Sequence, residues 1–305
     1  MPHRRTWTSS AAWVLVLLAT TAGCKERVAE QLKASDAGVV SDSGLPEDRR
    51  IQPFDGSLST LAGKRDTGNR YASAVMVTPH RRAENEGEEE AEPGSPLCGG
   101  VLIGPRLVLT AGHCVCMPRG ASDLDCSDAA IVTTVTHTAA GEKTRAGSRT
   151  VEYIGKVRPH PALRIAVDSL GGFSRSSADL AIVVLDEPVE SAFQSVPLAS
   201  TEARVDDQVV VVSYGHNENT LGVYGQRRFD TYRVSKHLEA DARFQLDQPR
   251  RALFKGESGG PCLRETSEGI ELVGISNLGV GTEATFTSIR PYRPWLMNEL
   301  RKATQ

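Results

Sequence analysis

Between Leu97 and Cys114 the chain runs Leu97-Cys98-Gly99-Gly100-Val101-Leu102-Ile103, turns at Gly104-Pro105-Arg106, and returns as Leu107-Val108-Leu109-Thr110-Ala111-Gly112-His113-Cys114. Two short apolar runs joined by a Gly-Pro turn predict a β-hairpin. The return strand delivers His113 to a chain reversal, with one cysteine on each arm. In an exported protein the economical pairing is a Cys98–Cys114 disulfide, worth about 3 kcal/mol for a loop of this size. A histidine beside a cystine at a strand end is a candidate general base, because such a base must be held in position before its pKa matters.

The rest of the composition agrees with a β chain. Apolar residues make up 39% of the 305 and are rich in Val, with Gly and turn-forming residues spread throughout, which favours all-β over helical architecture. The length suits one large or two small folded units, and no repeat of solenoid spacing occurs. A net charge of -3 gives no general attraction to nucleic acid or acidic lipid, so partners have to be argued from a site.

The first residues read as a targeting segment. His3-Arg4-Arg5 is basic, Ala11 to Ala19 is an apolar run too short to span a bilayer, and small residues follow to Gly23. Thr21-Ala22-Gly23-Cys24 resembles a bacterial lipoprotein processing site, which would leave Cys24 lipidated and the protein on an envelope membrane by its acyl chains. A plain signal peptide cut after Ala22 or Gly23 is the other reading of these residues, and would make the protein secreted. Residues 24–50 are polar and aperiodic, a flexible tether or pro-segment. Arg49-Arg50-Ile51 marks a possible processing point, and 51–305 is the expected folded domain.

Tyr71 to Val77 is the first expected strand. It leads into an acidic run between His80 and Pro96 that reads as a solvated hairpin loop. Cys116 and Cys126 bracket a Pro/Gly/Asp loop and most simply pair with each other, leaving Cys262 as a buried thiol; a bond from Cys262 to either remains open at this level. Val209 to Tyr214, Leu272 to Ser276 and Ala284 to Ile289 are further strands, and Tyr292, Trp295, Leu296 and Leu300 have helical spacing.

Two more stretches carry chemistry. Ser176-Ser177-Ala178-Asp179-Leu180-Ala181-Ile182-Val183-Val184-Leu185 sets an acid at the mouth of an apolar strand, where a carboxylate is costly unless hydrogen-bonded. Capping of its own turn is the plain structural role for Asp179. Asp168, on a Gly/Ser-rich loop, and Asp186, past the strand end, are poorer candidates. Lys255-Gly256-Glu257-Ser258-Gly259-Gly260-Pro261 holds a serine among glycines that permit tight turns and leave N–H groups to face a reacting oxygen.

Thr110-Ala111-Gly112-His113-Cys114, Asp179-Leu180-Ala181 and Gly256-Glu257-Ser258-Gly259-Gly260-Pro261, in that order, resemble the signature blocks of the trypsin-like serine peptidases, the family on which the general description of the triad is built. The likeness runs from about Tyr71 to Leu300 and includes His160-Pro161. It implies two packed six-stranded antiparallel β-barrels with a C-terminal helix, and a site between the barrels. It further implies Ser258 as nucleophile, His113 as base, Asp179 as the acid orienting it, and backbone N–H groups of Gly256 and Ser258 as oxyanion hole. No metal or cofactor is called for. The substrate would be a polypeptide, and the protein a monomer.

Glu257 stands where the family usually has Asp, and the usual Ile-Val-Gly-Gly start is absent, although Ile51 follows Arg50. Alignment with the serine loop puts Ala252 at the base of the primary pocket, Ser276 and Leu278 on its wall and Ala284 on the far side. Phe254 occupies a position that is often Cys. An apolar, shallow pocket favours small or medium aliphatic side chains, since a substrate charge would be desolvated there without a partner. The rival reading is a catalytically inactive binding module of the same fold, anchored in the cell envelope.

Overall fold

A computed structural model describes residues 63–80, 98–119, 123–138, 147–167, 173–214, 226–238, 242–247, 258–277 and 285–304. All of these belong to one compact unit, Gly56–Gln305. Cys24, Ile51, the acidic run within 81–97, Asp168, Ala252, Phe254, Gly256, Glu257, Leu278 and Ala284 lie outside the described residues.

In chain order the strands are β1 (Lys64–Arg65), β2 (Ala74–His80), β3 (Cys98–Gly104), β4 (Leu107–Thr110), β5 (Cys116–Arg119), β6 (Asp123–Cys126), β7 (Ala129–Thr138), β8 (Gly147–Pro159), β9 (Arg164–Val167), β10 (Phe173–Ser177) and β11 (Ala181–Leu185). There follow β12 (Gln208–Ser213), β13 (Arg228–Leu238), β14 (Arg243–Asp247), β15 (Pro261–Thr266), β16 (Gly269–Ser276), β17 (Thr285–Ser288) and the helix α1 (Arg293–Ala303).

Six strands close the first barrel in the order β2-β3-β4-β11-β8-β7, every pair antiparallel and β7 returning to β2. The second closes as β12-β13-β14-β17-β16-β15, with β15 returning to β12. Closure leaves each barrel without a free sheet edge. The short β1 adds to the outside of β13 through Lys64 opposite Phe229 and Arg65 opposite Arg228.

The all-apolar run Val209-Val210-Val211-Val212 is explained by the period of two along a strand. Val209 and Val211 face the interior of the second barrel with Phe244, Leu246, Val273 and Phe286. Val210 and Val212 join Leu263, Leu272 and Ile275 in an apolar core continuous with that of the first barrel. Both faces of β12 are therefore buried, and the barrels pack through their walls. The stacked pair Phe244–Phe286, with centroids 5.6 Å apart, fills the second interior.

Helix α1 starts with Pro294 in its first turn, where the missing N–H costs no intrahelical bond. It packs on the first barrel. The His160 ring meets Tyr292 and Trp295 edge-on, at 5.1 and 4.8 Å between centroids, and the buried Glu299 takes Arg158 at 2.9 Å.

The expected hairpin over Leu97–Cys114 is present as β3 and β4, and the last apolar segment is a helix as the spacing predicts. The expected first strand is shifted toward its C-terminal side, because Tyr71 to Ser73 form a turn in which Tyr71 N donates to Asp66 Oδ2 and Ala72 N to Asn69 O. The hairpins β5–β6 and β9–β10 have mixed polar sequences that carry no clear period, and they emerge only as cross-strand pairs.

Candidate active site

Strand β4 ends at Thr110, and the chain makes a single 3-10 turn over Gly112–Cys114 that carries His113. The tight packing there needs Gly112: a Cβ on it would stand 2.6 Å from Leu163 Cδ1 and 3.1 Å from Asp179 Oδ1. The Cys98–Cys114 disulfide ties this turn back to β3. A second disulfide, Cys116–Cys126, staples the β5–β6 hairpin that follows, and Cys262 is a free, buried thiol inside the second barrel. Burial pushes that thiol's pKa up.

Asp179 reaches the same place from the neighbouring strand, since β11 pairs with β4 and sets Ala181 opposite Thr110. Ala178 adopts φ +47° and Leu180 N donates to Ala178 O at 2.7 Å, a sharp turn that swings Asp179 inward before β11 begins. A left-handed alanine costs about 1 kcal/mol, and it is kept next to a fully buried carboxylate. Asp179 Oδ2 lies 2.7 Å from His113 Nδ1, and Asp179 Oδ1 accepts from His113 N at 2.8 Å. Ser176 Oγ stands 3.1 Å from Oδ2. The acid therefore holds an element 66 residues away instead of merely capping its own turn.

Burial alone would raise the Asp179 pKa. The charge of His113, its two hydrogen bonds and the Ser176 hydroxyl outweigh that and hold the carboxyl below its ordinary value. Because a carboxylate only accepts, a ring proton sits on Nδ1 facing Asp179, and in the neutral tautomer this leaves Nε2 as the acceptor.

Ser258 comes from the second barrel, just ahead of β15. Its carbonyl accepts from Gly99 N at 2.7 Å, and Gly259 N donates to Ser276 O at 2.8 Å. Gly259 has φ +82°, and a Cβ there would collide with Gly99 O and Thr110 Oγ1. The serine loop is thus pressed against the residues that neighbour Cys98 and lead into the His113 turn. Ser276 is buried and backbone-paired with Gly259 and Gly260.

The sequence model of the trypsin family matches residues 84–296. This chain belongs to the trypsin family. Chymase of Canis lupus familiaris is 29% identical over 217 residues, covering 67% of this chain and 79% of chymase. Phenoloxidase-activating enzyme 1 of Spodoptera litura is 25% identical over 232 residues, 67% of this chain and 59% of the insect protein. Mast cell protease 2 of Ovis aries shares 38% over 76 residues, 23% of this chain and 30% of the sheep protein.

Within this trypsin-family chain, one group of His, Cys, Asp and Glu among the described residues is close enough to share an ion: Cys98, His113 and Cys114. Both sulfurs are already joined to each other, which leaves no thiolate for a metal. Asp186 is exposed past the end of β11, away from any such cluster. The buried Ser176 lies beside Asp179 and the buried Asn277 beside Ser176, and the sequence assigns neither a role. A hydroxyl three positions before the acid was the available signal for Ser176; Asn277 gave none, because its partner lies 101 residues away.

Proposed function

We propose that the protein is a serine endopeptidase in which Ser258 is the nucleophile, His113 the base and then acid, and Asp179 the group that orients the imidazole. The observation that carries this reading is the buried His113 Nδ1–Asp179 Oδ2 contact of 2.7 Å. With its Nδ1 proton committed to Asp179, His113 takes the Ser258 hydroxyl proton on Nε2 as Oγ attacks the peptide carbonyl. The tetrahedral oxyanion is taken up by the N–H groups of Ser258 and Gly256. His113 then passes its proton to the leaving amine, and water, deprotonated by the same Nε2, releases the acyl group and restores the serine.

Ala252, Ser276, Leu278 and Ala284 form the primary pocket in this reading, with a preference for small or medium aliphatic side chains. The protein works outside the cytoplasm, as two disulfides and the basic-apolar N-terminus support, and Cys24 carries a lipid that holds it to the envelope. Among the described residues no helix is long and apolar enough to cross a membrane.

A fluorophosphonate probe tests the assignment, since it reacts only with an activated serine. The purified protein is expected to be labelled on Ser258, and Ser258→Ala to lower peptide hydrolysis by about a millionfold. An unlabelled parent would mean an inactive binding module of the same fold.

A further inference from the structure

Asp179 Oδ2 accepts from His113 Nδ1, and Ser176 Oγ lies 3.1 Å from the same oxygen. Ser176 Oγ is also 3.0 Å from one end of the Asn277 amide, whose other end is 2.9 Å from Thr287 Oγ1. All of these groups are buried: Asp179 is 0% exposed, Thr287 1%, Ser176 3% and Asn277 6%.

A serine hydroxyl has one proton to give. Were it given to Asn277, a lone pair of Oγ would face the carboxylate at 3.1 Å, and a buried anion would lose a donor. The proton therefore goes to Asp179, and Ser176 needs a donor for its own lone pair. Asn277 supplies it by turning its NH2 toward Ser176 and its oxygen toward the Thr287 hydroxyl. That orientation keeps every heavy-atom position, since the two ends of an amide differ only by a half-turn. The donors then run one way: Thr287 to Asn277, Asn277 to Ser176, Ser176 to Asp179.

We infer that Ser176 and Asn277 are positioning residues for Asp179, through which the second barrel sets the orientation and charge of the acid in the first. Asn277 follows β16 and Thr287 lies in β17, both in the barrel that provides Ser258; Ser176, Asp179 and His113 belong to the other half. Each link in such a chain polarises the next. The nucleophile and the alignment of its base thus depend on the same packing of one barrel on the other. The inference rests on the triad reading above.

The test measures the rate of fluorophosphonate labelling of Ser258 against pH, with thermal midpoints, for the parent, Ser176→Ala, Ser176→Thr and Asn277→Asp. Among the described residues, the ionisable side chain that acts on Asp179 is His113. Losing a donor makes the Asp179 carboxylate hold imidazolium more strongly. Ser176→Ala is expected to slow labelling about tenfold and to move its acid limb up by about half a pH unit. Ser176→Thr, which keeps the hydroxyl, restores both. Asn277→Asp, which replaces the donor with a further carboxylate, shifts the limb in the same direction, and carries the test if Ser176→Ala does not fold. An unlabelled parent overturns the triad reading itself. A labelled parent whose folded variants keep its rate and limb overturns the positioning role, as does an equal slowing in Ser176→Ala and Ser176→Thr with no movement of the limb.

Discussion

Arg227 Nε lies 2.7 Å from Asp66 Oδ2, with the guanidinium 0% and the carboxylate 2% exposed. Arg227 also donates to Val135 O, Tyr214 Oη and Asn69 Oδ1, at 2.7, 3.1 and 2.9 Å. Asp66 in turn accepts from Arg70 N and Tyr71 N. This network joins four pieces of chain: the segment leading into β2, β7 through Val135, the residue after β12, and the approach to β13. Its charges are fully desolvated, so its energetic weight appears when one partner is removed.

Replacing Arg227 with Met or Asp66 with Ala leaves a buried charge without its partner, and either change is expected to cost about 3–5 kcal/mol. Urea unfolding of each variant measures this. A pair worth only a fraction of a kcal/mol would behave like an exposed surface bridge, which its burial excludes.

Gly259→Ala is expected to abolish peptidase activity and to destabilise the fold by more than about 1 kcal/mol, because φ +82° disfavours a side chain and its Cβ would strike Gly99 and Thr110. Gly269→Ala is the control. Its φ of +135° is also unfavourable, but its Cβ would meet nothing within 4 Å, so stability should fall while activity per folded molecule stays. Calorimetry together with a peptide assay separates the two.

Opening the Cys98–Cys114 bond by a double Ala substitution is expected to cost about 3 kcal/mol, as for loops of this size. Activity should fall further than stability, since the bond ties the His113 turn to β3 next to the serine loop. Losing the Cys116–Cys126 bond is expected to affect stability alone. Thermal midpoints and turnover measured on both double variants decide this.

The pH dependence of stability follows from Asp179. Its carboxyl is held below the ordinary value of 3.8, so as pH falls the unfolded chain takes up this proton before the folded one. The stabilisation is therefore fully present above about pH 5 and is lost as pH falls through the folded-state pKa. Asp179→Asn should flatten that acid limb of the urea-unfolding profile while removing most of the activity. A limb unchanged in the variant would place the titrating group elsewhere.

Cys262 is expected to be inert to thiol reagents in the folded protein and to react after unfolding, because burial both shields it and raises its pKa. Ellman titration of a Cys24→Ala variant, native and in denaturant, reads one additional thiol on unfolding.

Much of the candidate site is legible in the sequence because its parts are local. The glycines around Ser258, the Gly-Pro turn that returns the chain to His113, and the apolar strand behind Asp179 each announce themselves within about ten residues. The Cys98–Cys114 pairing was also readable, since both cysteines sit on the arms of one hairpin. The C-terminal helix followed from the spacing of its apolar residues.

Local pattern is enough for the alternation of strands and turns, the order of the histidine, aspartate and serine blocks, and the terminal helix. It takes the folded chain to turn Asp179 inward to His113, to bury Arg227 against Asp66 across 161 residues, and to bring Asn277 to Ser176 from the second barrel. The physical reason is that strand and turn preferences act between neighbours, whereas burial of a charge or an amide depends on its partner. Nothing in the local sequence marks Asp66, Arg227 and Asn277 for burial, and closure of the two barrels supplies the groups that make it possible.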